Sequence, residues 1–568
     1  MKKRLIKEEV ILAYALENAI AHEGKAQVGA IIPKLFQAGL KKENIKEIMP
    51  SVNKIVKKVN SMKPEEREKE YKKVENLTVK HEHKEREGLP ELPNAEKGKV
   101  VMRHAPFPSG AIHIGNAIPL IINDEYRKMY DAKALLIIDD TIGSEEKQIT
   151  PESYDMIPED LKLLDVKYDG DIIYRSDRMN IYYKYAEELI KKNKAYVCFC
   201  NQERLRSFRA EGKDCECRNK DWETNLKEWK WMFSSQAKEG STSLRLKTSM
   251  QDPDPAFRDR VLFRISEREH PRIKGLRVWP TLDLVNAVDD HLLNITHIIR
   301  GNQLRIETRM EEFIWDIFGW KHPEIAYTPR IVIYANGVNI LSKSKSQQEV
   351  KSGAYRGWDD PRIWSIRSLI KRGIQPDAIR NFIKKFGMSD KESMEVPIEL
   401  LYNENIKLIE PIAERYFFIS NLVKIKISKA KKTVAKLPLH PDKPELGFRE
   451  IKTGASFFIE KKDFDLIEEG KIYRLMHLFN FTKKKDKLIF HSTSKTEDIA
   501  RIMHWLPALK SLPKVKILMT DGNYIEGVAE KGVKKIKLHS IIQFERFAFV
   551  RLNEKPKRGA LEFWWTHT

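Results

Sequence analysis

At 568 residues the chain is too long for one ordinary domain, and domain sizes allow about three to five units with cores of their own. Lys and Arg number 103 against 82 Asp and Glu, and the formal charge of +21 is spread along the chain with no basic tail, which favours a large polyanionic partner without naming one. No stretch approaches the roughly 18 apolar residues of a membrane span, and the N-terminus turns acidic at Glu8 and Glu9 before any signal-like run, so a cytoplasmic protein with no membrane partner is expected.

From Ile6 to Met62 apolar residues recur at helical spacing, as in Ile11, Leu12, Ala15 and Leu16, which predicts a small helical domain. Lys63 to Glu87 is dense in both charges and reads as a linker running into Gly88-Leu89-Pro90. Residues 1–97 are therefore taken as a helical appendage with a charged linker. Val100-Val101-Met102 and Ala134-Leu135-Leu136-Ile137-Ile138 are short apolar strands flanking a helical stretch from Asn116 to Tyr130, the pattern of a parallel βαβ unit. The alternation continues to about Asn193, is interrupted by a cysteine-bearing segment and the strand-rich Thr242 to Val278, and resumes at Ile295 to Arg300. A Rossmann-like catalytic domain over 98–195 and 291–350, split by an insertion over 196–290, is expected. Helical periodicity from Gln375 to Glu414 predicts a helical domain over 351–415, and alternating segments such as Val423, Ile425 and Ile427 predict β-barrels over 416–568. The fold class is multidomain α/β plus β.

All four cysteines lie in Cys198-Phe199-Cys200 and Cys215-Glu216-Cys217, a C-x-C pair repeated after fourteen residues. Four thiolates suit a closed tetrahedral zinc site, structural because no ligand position is left for water. Four reduced thiols or two disulfides are the alternatives, the latter disfavoured in a cytosol.

The first strand runs into Arg103-His104-Ala105-Pro106-Phe107-Pro108-Ser109-Gly110, and the helix begins after His113-Ile114-Gly115-Asn116. Gly110 and Gly115 allow close backbone approach, the helix N-terminus offers unpaired N–H groups, and the imidazole adds a donor, so a nucleotide phosphate fits there. Much later, Ser342-Lys343-Ser344-Lys345 follows the Asn336-Gly337 turn signal and reads as a cationic loop. Asp289-Asp290-His291 is assigned no metal, because neighbouring residues on a strand or turn point apart.

Together these segments resemble the HIGH and KMSKS signatures of class I aminoacyl-tRNA synthetases, with Asn116 standing for the last His and Ile340-Leu341 for the opening Lys-Met. Met102 to Gly110, Val278-Trp279-Pro280, Val288 to Leu293 and Thr296 to Gly301 are similar to the glutamyl and glutaminyl members. Over residues 98 to 568 the resemblance is to the archaeal glutamyl type. It implies ATP with Mg2+ as co-substrate, contacts to ATP from Pro108, Gly110, His113, Gly115, Ser342, Lys343 and Ser344, and catalytic roles for His113, Gly115, Asn116 and Lys343, the last on the leaving pyrophosphate. It implies L-glutamate contacts from Arg103, Asp139, Asn286 and Arg300. A guanidinium grips a carboxylate with two parallel bonds, whereas the amide of glutamine would point a donor at it, so Arg300 argues for glutamate.

Two departures touch the pocket: Leu282 stands where many relatives have Tyr, and Ile137 where many have Arg. The resemblance also implies that the insertion meets the tRNA acceptor end, that glutamate activation needs bound tRNA, and that segments His440 to Arg449 and Gln543 to Arg551 belong to an anticodon-binding barrel with Arg449 as a tRNA contact. The expected enzyme is a monomeric glutamate–tRNA ligase acting on tRNA-Glu, and on tRNA-Gln where the barrels tolerate one anticodon base. The competing readings are a glutaminyl enzyme and a catalytically inactive tRNA-binding module.

Overall fold

The computed structural model describes residues 7–21, 24–38, 40, 44–78, 88–142, 148–335, 338–339, 343–388 and 391–568. The chain divides into two compact units, Met1–Glu87 and Gly88–Thr568.

In the first unit, helices Glu8–Ala21, Val28–Gln37 and Ile45–Asn60 bury Ile11, Leu16, Ile31, Leu35, Val52 and Val59 on one another. The charged stretch expected as a linker is helical over Pro64–Val74. Pro64 occupies the first turn, Glu65 and Glu66 stand at the positive end of the helix dipole, and Lys72 and Lys73 stand at the negative end. Tyr71 and Val74 anchor this helix on the small core.

The second unit opens with parallel strands Val101–His104, Lys133–Ile138 and Ile173–Tyr174 in that order. Thr296 extends the layer, its amide donating to Val101 O at 2.9 Å, and it leads into strand His297–Gly301, which pairs in parallel with Glu324–Thr328. Strand Arg330–Ala335 pairs in parallel with Ser393–Pro397, a strand inside the stretch read as helical. Helix Ile114–Tyr130 covers the sheet with Ile114, Ala117, Ile121 and Ile122 turned into the largest core. Antiparallel strands Ala195–Cys198, Ser243–Leu246, Val261–Ile265 and Val278–Pro280 form the layer that interrupts this alternation.

Two seven-stranded sheets occupy the C-terminal part. In one, the end strands Arg415–Tyr416 and Phe418–Ile419 are consecutive in the chain and pair with opposite edges, Ile541–Phe544 and Tyr524–Ala529, so the sheet curls closed. In the other, the end strands Ile499–Met503 and Leu506–Pro507 are likewise neighbours in sequence. Phe544 and Phe549 are buried in these sheets. Among the described residues no helix is long and apolar enough to cross a membrane.

Candidate active site

The turn between the first strand and its helix carries the first motif. His113 is extended, at φ −95° and ψ 162°, and caps the helix: its Nδ1 accepts from the amides of Gly115 at 3.0 Å and Asn116 at 3.3 Å. An accepting nitrogen carries no proton, so the neutral ring carries its N–H on Nε2. The turn is clamped from outside, with Ile114 N donating to Trp364 O at 3.0 Å and Ile366 N to Ile112 O at 2.8 Å. Gly110 has φ +130°, and a Cβ there would run into the Trp358 indole. Its freedom thus admits an indole, and Gly110 and Pro108 are both buried, whereas Gly115 and Asn116 reach the surface of the adjoining cleft.

That cleft, of about 800 Å³, is lined by Arg103, His113, Gly115, Asn116, Asp139, Leu282, Asn286 and Arg300. Residues from five separated segments of the sequence are therefore brought to one hollow. Behind its wall runs a network of buried ions. Arg103 grips Asp290 with Nε and Nη2, the latter at 2.9 Å. Arg175, with no exposure, pairs through Nη1 with Asp139 Oδ1 at 2.8 Å and through Nε with Asp289 Oδ2 at 3.2 Å, and its Nη2 donates to Asn286 Oδ1. Burial works against the charge of Arg175, and Asp139 and Asp289 more than offset it, so its pKa lies above the usual arginine value. Asp289 also accepts from Arg178 Nε and from the Tyr182 hydroxyl, each at 2.8 Å. Asn286 Nδ2 donates to Glu311 Oε1 at 2.7 Å, and Glu311 Oε2 pairs with Arg300 Nη1, also at 2.7 Å. Arg300 Nη1 further donates to Thr308 Oγ1 at 3.1 Å, while Arg300 Nε is buried with no hydrogen-bond partner among the described residues.

Asp289 and Asp290 stand on helix Leu282–Leu292 and not on a strand or turn, and each faces arginines. The segment expected as a cationic loop is helical from Lys343 to Lys351, because Lys343-Ser344-Lys345-Ser346-Gln347-Gln348-Glu349 holds neither Gly nor Pro. Ser342 and the side chains of Lys343 and Ser344 lie outside the described residues. The helix is tethered near the first motif: Lys351 Nζ donates to Gln148 Oε1 at 2.9 Å, and two residues on, Thr150 N donates to Pro108 O at 3.0 Å.

Residues 99–411 match the family profile described as tRNA synthetases class I (E and Q), catalytic domain, and residues 413–497 match the anti-codon binding domain of the same class. Over 96% of this chain and 97% of the relative, the sequence is 41% identical to the Glutamate–tRNA ligase of Pyrococcus furiosus. It is 40% identical to that of Methanocaldococcus jannaschii over 97% of this chain and 98% of the relative. The Methanothermobacter marburgensis ligase is 38% identical over 99% of both. The chain belongs to the class I tRNA synthetases of the E and Q group.

In this synthetase the four cysteine sulfurs lie within 4.8 Å of one another, and Cys198 Sγ and Cys215 Sγ are 3.8 Å apart. A tetrahedron with metal–sulfur bonds of about 2.3 Å has edges of about 3.8 Å, so Cys198, Cys200, Cys215 and Cys217 fit one zinc ion. Arg245 Nη1 stands 3.7 Å from Cys198 Sγ and 3.9 Å from Cys215 Sγ, a cation placed to offset thiolate charge.

Arg449 is tied to acceptors of the protein itself. Its side chain is only 7% exposed, with Nε 2.9 Å from Glu530, Nη2 2.7 Å from Glu545 and Nη1 donating to Pro438 O. It holds strand Phe448–Lys452 to the neighbouring sheet and also lines a cleft of the C-terminal part.

Sequence reasoning missed Arg175 and Glu311. Arg175 sits in Tyr174-Arg175-Ser176-Asp177-Arg178, whose only signal was an arginine pair after a short strand. Glu311 is one of two adjacent glutamates in an amphipathic helix, and only the fold shows which of them is buried.

Proposed function

We propose that this synthetase activates L-glutamate with Mg-ATP and transfers it to the 3′-terminal adenosine of tRNA-Glu. The glutamate α-carboxylate attacks the α-phosphate, a new P–O bond forms as pyrophosphate leaves, and the adenosine hydroxyl then displaces AMP from the adenylate. Catalysis of this kind rests on positioning and on charge held against phosphate oxygens. The His113 imidazole caps the helix through the amides of Gly115 and Asn116, which fixes the ring beside the phosphate position. Lys343 supplies an ammonium for pyrophosphate, and Asn116 adds an amide. By the family resemblance, Pro108, Gly110, Ser342 and Ser344 would also contact ATP.

The observation that carries the choice of glutamate is Arg300. It lines the cleft, its Nη1 meets Glu311, and its buried Nε makes no hydrogen bond among the described residues, a deficit of about 1–3 kcal/mol that a bound carboxylate would remove. Asp139 faces the substrate ammonium, and Asn286 and Arg103 hold the surrounding wall. Zinc at the four cysteines shapes the insertion that receives the acceptor end, and the closed sheets of the C-terminal part read the anticodon. The protein works as a cytoplasmic monomer, and its N-terminal 97 residues are an appendage to the catalytic machinery.

Charging of purified tRNA-Glu and tRNA-Gln with radiolabelled glutamate or glutamine tests this directly. Glutamate charging of tRNA-Glu is expected, with Arg300→Ala damaging glutamate use and Lys343→Ala lowering turnover far more than glutamate affinity. Preference for glutamine would overturn the assignment, and tRNA binding without ATP-dependent charging would overturn the enzyme reading altogether. The tRNA-Gln arm decides whether that tRNA is a second acceptor.

A further inference from the structure

Arg300 cannot select a side chain unless its plane is fixed, and the fold fixes it from one direction. Thr308 and Glu311 lie three residues apart on one face of helix Arg305–Phe318, and both meet Arg300 Nη1, at 3.1 and 2.7 Å. Glu311 has no exposure, and its second oxygen accepts from Asn286 Nδ2 at 2.7 Å. The two side chains in direct contact with this carboxylate, Asn286 and Arg300, are both donors, with Asp290 and Arg103 standing farther off. With Nη1 held, the Nε–Nη2 edge is the one left to meet a ligand in two-pronged fashion, and Nε is the buried nitrogen without a hydrogen-bond partner among the described residues.

We propose that Glu311 is a specificity-determining positioning residue, which orients Arg300 and Asn286 together so that the cleft accepts a glutamate side-chain carboxylate. This inference rests on the glutamate reading of Arg300. Glu311 itself need not touch substrate. Its place cannot be taken by an amide, because glutamine would turn an NH2 toward either Arg300 or Asn286, both of them donors. Nor can aspartate take it, since one methylene fewer withdraws the carboxylate by about 1.5 Å and breaks one of the two contacts. Coulomb attraction alone points the other way: removing an anion beside Arg300 would strengthen the pull on a substrate carboxylate. The two accounts therefore differ in sign.

The test is tRNA charging by full-length wild type, Glu311→Asp and Glu311→Gln, with kcat and KM measured for glutamate and for ATP, and with glutamine as competing substrate. Both variants should lose at least tenfold in kcat/KM for glutamate and lose discrimination against glutamine, with KM for ATP within twofold of wild type. Glu311→Asp behaving as wild type would reduce the residue to a charge, and Glu311→Gln gaining glutamate affinity would make it an electrostatic brake; either overturns the proposal. Equal shifts in both KM values would mark a merely structural role and also overturn it. If neither variant folds, Thr308→Val decides: a roughly threefold loss confined to glutamate supports the proposal, and an unchanged kcat/KM overturns it. Wild-type charging with glutamine in place of glutamate would instead refute the functional reading beneath it.

Discussion

His104 offers a quantitative check on how the active-site sheet is built. It ends strand Val101–His104 at 1% exposure, and among the described residues its ring nitrogens make no well-aligned hydrogen bond, the Lys167 backbone being the polar group in reach. Burial drives its pKa down to about 4 from 6.5, with Asp124 and the Lys167 backbone offsetting part of the effect. The folded state therefore keeps the ring neutral where the unfolded chain takes up a proton. With the folded pKa below the unfolded one, stability is unaffected well above pH 6.5 and is lost as pH falls from there toward 4. At pH 5 the difference in proton binding amounts to about 2 kcal/mol. His104→Phe keeps a flat ring and removes both nitrogens, so it should gain about 1–3 kcal/mol at pH 7.5 and about 2 kcal/mol more at pH 5. Urea unfolding followed by tryptophan fluorescence at both pH values, variant beside wild type, measures the difference. A gain that fails to grow between pH 7.5 and 5 would refute the buried neutral imidazole, because nothing else in the comparison changes with pH.

Arg175→Met removes three contacts and leaves Asp139 and Asp289 short of a cation, so it should lose about 3–5 kcal/mol in urea unfolding and most of the charging activity. Gly110→Ala should raise KM for ATP severalfold through backbone strain and collision with the indole, with Trp358→Leu in the same chain recovering part of the loss if collision is the cause. Elemental analysis of fresh protein should find about one zinc per chain, and Cys215→Ser should bring it below half an equivalent and lower the melting temperature.

Much of the fold was legible because hydrophobic periodicity decides where buried faces lie. The βαβ start, the interrupting strands and the alternating C-terminal segments all show it. Three misreadings share a cause. Pro64–Val74, Lys343–Lys351 and Ser393–Pro397 are polar or short, so charge density or the helical surroundings outweighed what their ends and partners enforce. Pro64 begins a helix whose flanking charges suit its dipole, and Ser393–Pro397 is a strand because Arg330–Ala335 offers it a parallel edge. Long-range pairing of that kind leaves no mark in a local window.

The candidate site shows the same limit at the level of single atoms. Arg103 and Arg300 look equivalent in sequence, each an arginine near the end of a buried strand that faces the cleft. In the fold Asp290 already fills the Nε–Nη2 fork of Arg103, whereas Glu311 and Thr308 meet Arg300 at Nη1 and its Nε makes no hydrogen bond among the described residues. A bound carboxylate would have to displace Asp290 to be gripped side-on by Arg103, leaving a fully buried carboxylate without its arginine at a cost of several kcal/mol. At Arg300 it would fill a deficit. On the proposed reading the two arginines would divide the work: Arg103 would stiffen the wall through Asp290, and Arg300 would meet the glutamate side chain.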